Sequence, residues 1–291
     1  EPTSGCLPPD LAATLAANNH TTAGDTPMPR FNANITMLFQ EVDFMDRFQA
    51  AAKAGFKGVE YLFPYDYKAA DLVDALKSNG LTQVLHNLPA GDWAKGERGL
   101  ASLPDRKSEF QDSVGLAIEY ATALGCPQAN CLAGIPSDGV APEQAFETFV
   151  ENLEFAAPRF DDAGIKLLVE AINTRDIPGF FLNTSAQTER VLAAVGHDNL
   201  YFQYDAYHMQ IMEGDLCRTV ERLLERIPHI QIADNPGRHE PGTGEINYPH
   251  FFAHLDAIGY KGWVGCEYIP ATTTVEGLGW LRAAEASSKA A

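Results

Sequence analysis

The sequence predicts a single domain built as a closed parallel (β/α)8 barrel. Three observations indicate this fold class: short apolar or β-branched segments alternate with segments of helical spacing, the alternation repeats eight times, and glycines recur where helical segments end. The length of 291 residues suits one domain with eight such units, which is the arrangement of a TIM barrel.

Eight segments have strand character, and each is bounded by turn residues or by a helical pattern. The predicted strands are Phe31–Thr36, Gly58–Phe63, Thr82–Leu88, Ala129–Gly134, Lys166–Ile172, Leu200–His208, His229–Asp234 and Gly262–Tyr268. Glycines of the left-handed cap type close five of the intervening helices, at Gly55, Gly80, Gly125, Gly164 and Gly259. The pattern therefore runs from strand to helix to strand along the whole domain.

Apolar residues lie on one face of the predicted helices, in the first at Phe44, Phe48, Ala51 and Ala52, and in the fourth at Phe146, Phe149, Val150 and Leu153. An open doubly wound sheet would show the same alternation. That fold usually carries a glycine-rich phosphate loop after its first strand, and the segment "NITMLFQEVD" has none. The barrel is therefore favoured over the open sheet.

The two ends of the chain differ from the barrel in composition. Residues 1–27 are rich in Ala, Thr, Pro and Asn and lack lasting periodicity, which predicts a disordered or loosely held N-terminal extension or a tag. The barrel is predicted over residues 28–286, and residues 287–291 form a short tail.

Charge and cysteine content exclude several kinds of partner. Lys and Arg number 21 against 39 Asp and Glu, so the formal net charge is -18, and such a chain repels phosphate backbones and anionic lipids. We therefore expect no nucleic-acid and no membrane partner.

Five cysteines without CxxC spacing indicate a reduced, cytoplasmic protein. The sequence leaves formation of a homo-oligomer open.

Polar side chains close the last four predicted strands, at the barrel end where catalysis takes place. These are Glu170 and Asn173, Asp205 and His208, Gln231 and Asp234, and Glu267; the second and third strands offer Glu60, His86 and Asn87. Crowded carboxylates repel one another in a partly desolvated mouth, and a divalent cation removes that conflict. Because the ligands are oxygens, the sequence predicts Mg²⁺ or Mn²⁺ rather than Zn²⁺. The alternative is that each acid caps a helix or forms a salt bridge.

Further side chains are candidates for contact with a substrate. His86 and His208 could donate hydrogen bonds to substrate oxygens, or each could be a neutral histidine bonded to the backbone. Arg238, in the loop "NPGRHEPGTGE", suits a substrate carboxylate, although a surface arginine has the same spacing. Cys266 should point away from the site because side chains alternate along a strand.

One connection, Pro89–Pro104, is unusually long and contains Trp93, Lys95 and Arg98. Loops of this length in compact domains tend to be functional, and we predict that this loop forms a lid over the site. The alternative is a solvent-exposed loop without a role in function.

Several long blocks resemble hydroxypyruvate isomerases, a family of the xylose isomerase-like barrel superfamily. These blocks are "FNANITMLFQEVDFMDRF", "GFKGVEYLFPYDY", "LHNLPAGDWAKGERG", "QYDAYHMQIMEGD", "HIQIADNPGRHEPGTGEINY" and "GWVGCEY". The similarity extends from about Met28 to Trp280.

The resemblance implies an enzyme with a divalent cation held by four ligands, Glu170, Asp205, Gln231 and Glu267. It assigns acid–base roles to Glu170 and Glu267, and it places His208 and Arg238 against substrate oxygens. In the mechanism that we predict, Arg238 or a cation of the lid, Lys95 or Arg98, holds the substrate carboxylate. The broader superfamily often has His where this chain has Gln231, and the narrower family has Gln. The implied reaction is hydroxypyruvate ⇌ tartronate semialdehyde through an enediolate.

Several alternatives stay open. A near relative in the same group is 2-oxo-tetronate isomerase, although "HNLPAGDW", "GERG" and "PGTGE" resemble the hydroxypyruvate branch more closely. Other sugar-acid or ketose isomerases and epimerases, a metal-dependent dehydratase, an endonuclease of the superfamily and a non-catalytic sugar-acid binding protein are the remaining candidates.

Overall fold

A computed structural model describes residues 29–290 of the chain, and the side chains of residues 29–286. Eight parallel strands pair in sequence order and close where β1 pairs with β8. The strands are β1 Arg30–Asn34, β2 Gly58–Glu60, β3 Thr82–Asn87, β4 Gln128–Cys131, β5 Lys166–Glu170, β6 Leu200–Asp205, β7 His229–Ile232 and β8 Trp263–Cys266. The predicted TIM barrel is confirmed, and the predicted extension, residues 1–27, lies outside the described residues.

Helices surround the barrel and bury their apolar faces against it. They are α1 Phe44–Lys53, α2 Ala69–Asn79, α3 Lys107–Leu124, α4 Pro142–Asp162, α5 Ser185–Val195, α6 Ala206–Met212, α7 Leu216–Arg222, α8 Tyr248–Ala257, α9 Thr274–Gly277 and α10 Gly279–Ala290. Phe48 and Ala51 of α1 are fully buried, as predicted. The last helix continues to Ala290, into the segment predicted as a tail. Within residues 29–290, no helix has the length and apolar character needed to cross a membrane.

The sixth strand is shorter than predicted. The segment Leu200–His208 reads as one strand in sequence, but β6 ends at Asp205 and α6 begins at Ala206. The reason is local: the Asp205 side chain accepts hydrogen bonds from the backbone N–H groups of Tyr207 and His208, which caps the helix at once. The early turn places Asp205 and His208 beside each other at the mouth.

The interior of the barrel changes character along its axis. Val84, Leu85 and Leu168 pack near the amino-terminal end, with Tyr201 and Trp263 against them. Towards the carboxyl ends of the strands the buried interior residues are polar, namely Asn32, Asn34, Glu60, Asn87, Asn130, Glu170, Asp205, Gln231 and Glu267. Because buried polar groups need hydrogen-bond partners, the side chains at this end form a connected hydrogen-bond network and not a hydrophobic core.

A crevice of about 450 Å³ opens at the opposite, amino-terminal end of the barrel. Two of its three cationic side chains are already engaged: the Arg30 guanidinium stacks on Trp263 and donates to the Lys261 carbonyl, and the Lys166 ammonium lies over the ring of Tyr201. None of the predicted site residues lines this crevice, so the chemistry belongs to the carboxyl end.

Candidate active site

Four buried side chains meet at the carboxyl end of the barrel. Glu170 ends β5, Asp205 ends β6, His208 lies in the first turn of α6 and Glu267 follows β8, and their ligand atoms all lie within 4.8 Å of one another. Gln231 of β7 adjoins this cluster, with its Nε2 atom 3.3 Å from Oε1 of Glu267. The structure therefore brings together all four residues predicted as metal ligands, and His208 with them.

Two asparagines hold the glutamates of the cluster in place. Nδ2 of Asn130 donates to Oε2 of Glu170 at 2.8 Å, and Nδ2 of Asn34 donates to Oε1 of Glu267 at 3.0 Å. Neither asparagine is among the site residues predicted from the sequence. The signal was their position at alternate places in short apolar strands, "FNANI" and "QANC", where an inward polar side chain needs a polar partner.

The carboxylates of the cluster are difficult to ionise together. Burial raises the pKa of Glu170 well above its ordinary value, and the charges of Glu267 and Asp205 add to the rise. Burial likewise raises the pKa of Asp205 to about 6 and that of Glu267 to about 8, although nearby Arg238 opposes both shifts. A bound cation would remove this cost by attracting the charged forms.

The residues present fit a hard divalent cation. Oδ2 of Asp205 is buried and has no hydrogen-bond partner within the described structure, so this atom is available to a ligand. Oε1 of Gln231 accepts one hydrogen bond, from Nε2 of Gln203, and keeps a second lone pair. Carboxylate and amide oxygens are the donors that Mg²⁺ and Mn²⁺ prefer.

The hydrogen bonds of His208 determine which ring nitrogen carries the proton. Oδ1 of Asn173 accepts from the backbone N–H groups of Arg175 and Asp176, so its Nδ2 faces Nδ1 of His208 at 2.7 Å. Nδ1 is therefore an acceptor, and the N–H is at Nε2, 3.6 Å from Oδ2 of Asp205. Burial, and after it the charge of Arg238, lowers the pKa of His208 well below its ordinary value. His208 thus presents a neutral N–H donor to the site.

Arg238 lies inside the site and is not a surface arginine. Its Nη2 is 2.9 Å from Oε2 of Glu267, its Nη1 is 3.5 Å from Oδ2 of Asp176, and its guanidinium lies over the ring of Tyr207. The side chain is only 18% exposed. Asp176 and Tyr207 are site neighbours that sequence analysis did not single out.

Asp234 organises the loop that carries Arg238. Its carboxylate accepts hydrogen bonds from four backbone N–H groups, those of Asn235, Gly242, Gly244 and Ile246. A side chain at Gly244 would collide with the carbonyl of Asn235 and with this carboxylate. The glycines of "PGTGE" therefore allow the loop to fold around one buried acid.

We expect Asp234→Ala to lower the free energy of unfolding by about 3 kcal/mol, because several buried N–H donors lose their acceptor. Urea denaturation of both proteins measures the difference. The exposed Asp138→Ala exchange is the control, and equal stability of the two variants would contradict the role assigned to Asp234.

The structure does not bring His86 to the cluster. Its neighbour Asn87 faces the interior, where its Oδ1 accepts from Asn130, and alternation along β3 turns His86 to the other side of the barrel wall. There its Nδ1 lies 3.1 Å from the Asn87 carbonyl and 3.4 Å from the hydroxyl of Tyr65.

The two cations of the long loop also lie outside the cluster. Lys95 is 82% exposed and pairs with Asp92 at 2.7 Å. The Arg98 guanidinium stacks 4.1 Å from the centre of the Trp93 ring and donates to two loop carbonyls. Trp93 in turn packs on Phe63, which follows β2. The loop is thus held together by its own contacts, and a role for Lys95 or Arg98 in substrate binding remains a prediction.

Comparisons with known proteins agree with this geometry. The family model described as "Xylose isomerase-like TIM barrel" matches residues 48–284. The hydroxypyruvate isomerase of Escherichia coli K12 is 53% identical over 254 residues, which cover 87% of this chain and 98% of the relative. The 2-oxo-tetronate isomerase of Cupriavidus necator is 48% identical over 255 residues, or 88% and 98% of the two chains.

A solved structure described as an AP endonuclease, family 2, from Brucella melitensis is 47% identical. It superposes with a TM-score of 0.86 and covers 88% of this chain and 99% of its own. The predicted resemblance is confirmed, as is the prediction of an enzyme of the isomerase class. The chain belongs to the xylose isomerase-like TIM barrel family, and within it to the hydroxypyruvate isomerase family.

Proposed function

We propose that this enzyme interconverts hydroxypyruvate and tartronate semialdehyde with a bound Mg²⁺ or Mn²⁺. The observation that carries the proposal is the convergence of Glu170, Asp205 and Glu267 within one buried cluster, with Arg238 beside it. Gln231 would complete the ligand set. The relative from Escherichia coli, whose name gives this activity, supports the choice of substrate.

A divalent cation at this position would polarise the substrate carbonyl and stabilise the negative charge that develops when a neighbouring proton leaves. Glu170 ends β5 and Glu267 follows β8, and their raised pKa values suit groups that must both accept and release a proton near neutral pH. One glutamate removes a proton from the CH₂OH carbon, and the other delivers a proton to the former carbonyl carbon. The proton of the CH₂OH hydroxyl passes to the former carbonyl oxygen, which balances the isomerisation.

Two further side chains stabilise charge on the substrate. The neutral His208 directs its Nε2–H into the site and donates a hydrogen bond to the oxygen that gains charge in the enediolate. Arg238 can exchange its contact with Glu267 for the substrate carboxylate, because a guanidinium binds both oxygens of a carboxylate at once. The same exchange frees Glu267 to act on a proton.

We expect Arg238→Gln to lower kcat/KM for hydroxypyruvate about 10- to 150-fold, which corresponds to one lost charge-assisted hydrogen bond of about 1.5–3 kcal/mol. The loss should be far smaller for dihydroxyacetone, which has no carboxylate. Initial rates on both compounds test this. An equal loss on both would show that Arg238 serves the fold or the cluster and not the carboxylate.

The function itself is tested by following hydroxypyruvate in deuterated buffer by NMR. We expect an aldehyde signal from tartronate semialdehyde and exchange of deuterium into the substrate. The same assay is run with 2-oxo-tetronate, because a relative that is 48% identical is named 2-oxo-tetronate isomerase. A higher kcat/KM for 2-oxo-tetronate would assign the four-carbon reaction. Loss of water from polyols would indicate a dehydratase, and absence of turnover on all these compounds would overturn the proposal.

A further inference from the structure

A second polar group lies directly behind the candidate metal ligands. Glu60, the last residue of β2, is fully buried in the barrel interior. Its Oε1 accepts from Nε2 of Gln231 at 2.7 Å and from Nδ2 of Asn34 at 3.1 Å, and its Oε2 accepts from Nδ2 of Asn32 at 2.7 Å. Nε2 of His229 lies 2.7 Å from the same Oε2.

Glu60 holds the NH₂ end of the Gln231 amide. A carboxylate can only accept hydrogen bonds, so it must meet the NH₂ group of the amide and not its oxygen. On the other side, Nε2 of Gln203 donates to Oε1 of Gln231 at 2.6 Å. The Oε1 atom of Gln203 has no hydrogen-bond partner within the described residues. The amide of Gln203 could therefore rotate and accept from Gln231 instead of donating to it, so it does not fix the orientation of Gln231. The orientation of the amide is therefore fixed by two carboxylates, by Glu60 at 2.7 Å and more distantly by Glu267 at 3.3 Å.

The same carboxylate also restrains Glu267. Nδ2 of Asn34 is shared between Oε1 of Glu60 and Oε1 of Glu267, at 3.1 Å and 3.0 Å. The other end of Asn34 is anchored, because its Oδ1 accepts from the backbone N–H of Thr36. Glu60 thus contacts one proposed ligand directly and reaches a second through a single side chain.

The surroundings of Glu60 leave it little freedom to move. A Cβ atom at Gly265 of β8 would lie 2.5 Å from Oε2 of Glu60, so a side chain there would displace the carboxylate. Burial of a carboxylate is costly unless it is fully paired, and an apolar residue would fill the space more cheaply. Three amide donors and the neighbouring His229 surround the carboxylate and offset this cost.

We propose that Glu60 is a positioning residue: it holds the NH₂ group of Gln231, so that the amide cannot rotate and its oxygen stays available to the cation. This inference rests on the proposed function, in which Gln231 is a ligand. Glu60 touches neither substrate nor cation; it acts through Gln231. Without Glu60, only the 3.3 Å contact with Glu267 holds the NH₂ group, so the amide can rotate and a cation can lose one oxygen ligand.

Mn²⁺ binding to the metal-free protein tests this without an activity assay. We expect Glu60→Gln to raise the Kd for Mn²⁺ about 10- to 100-fold, the range found for residues that orient a metal ligand. Gln231→Ala should raise the Kd to a similar extent. In the Gln231→Ala background, Glu60→Gln should change the Kd by less than about 3-fold, because the partner through which it acts is gone.

Water-proton relaxation of bound Mn²⁺ gives a second readout. Glu60→Gln and Gln231→Ala should each add one Mn²⁺-bound water, since water replaces the lost amide oxygen. Glu60→Asp keeps the negative charge but shortens the side chain, so it should also weaken Mn²⁺ binding, whereas a purely Coulombic effect predicts no change. This variant also substitutes for Glu60→Gln if melting curves show that the latter fails to fold.

Two outcomes would overturn the inference. One is an equal effect of Glu60→Gln in both backgrounds, which would show that Glu60 acts through its charge or through the fold. The other is unchanged Mn²⁺ affinity and hydration in the Glu60 variants. The proposed function fails separately: in that case Gln231→Ala binds Mn²⁺ as the unaltered protein does, or the unaltered protein binds none, and the inference fails with it.

Discussion

Replacing Glu267 with glutamine is expected to abolish turnover of hydroxypyruvate while leaving the fold intact. The amide cannot accept a proton, and positioned acid–base groups contribute about 10²–10⁴-fold to the rate. The exchange also removes the negative charge of a proposed ligand of the cation. We therefore expect kcat to fall by at least about 10³-fold. The exchange is nearly isosteric. Oε2 of Glu267 faces Arg238 at 2.9 Å, and an amide oxygen can still accept that hydrogen bond.

The matched control is Glu147→Gln, the same exchange at an exposed position on α4. It should leave kcat and the melting temperature unchanged. Circular dichroism melting of both variants separates loss of catalysis from loss of fold. Near-normal activity of Glu267→Gln would remove this residue from the mechanism and with it the assigned pair of glutamates.

Removal of divalent cations is expected to have an effect of similar size. After treatment with EDTA, kcat/KM for hydroxypyruvate should fall about 10³-fold or more, because the cluster then cannot stabilise the charge of the enediolate. Added Mg²⁺ or Mn²⁺ should restore the rate. The cations should also raise the melting temperature, since they bind the folded state and relieve the repulsion among Glu170, Asp205 and Glu267.

Sodium chloride at the same ionic strength is the control for simple screening of charge, and it should restore neither rate nor stability. The Asp205→Ala variant should respond to Mg²⁺ weakly in both measurements, because it lacks the carboxylate whose Oδ2 is unpartnered. Full activity in EDTA would refute the cation-dependent mechanism, whatever the substrate.

Much of the site was predictable because a closed barrel converts sequence order into position. Once strands alternate with helices, the residues at strand ends must meet at one mouth, and Glu170, Asp205, Gln231 and Glu267 do so. Strand lengths were less predictable. The segment Leu200–His208 is uniformly compatible with a strand, and only the hydrogen bonds of the Asp205 side chain end it at residue 205.

The side of the barrel wall that His86 faces could not be predicted from the sequence. A polar residue near a strand end can face either side of the wall, and a one-residue shift reverses the assignment. Pairing between β2 and β3 has an irregularity at Val59 and Glu60, so counting alternate positions along "TQVLHNL" from one end does not reveal which residue faces inward. Asn87 is the inward residue, as its contact with Asn130 shows.

The amino-acid sequence by itself determined the barrel, the acidic mouth and the polar side chains that meet there, because periodicity and the order of the strands can be read directly along the chain. Only the tertiary structure decided the partners of those side chains: Asn130 for Glu170, Asn34 for Glu267, and Glu60 behind Gln231. Glu60 and Gln231 are 171 residues apart in sequence. Orientation of a buried amide depends on which groups surround it, and no periodicity in the chain encodes that.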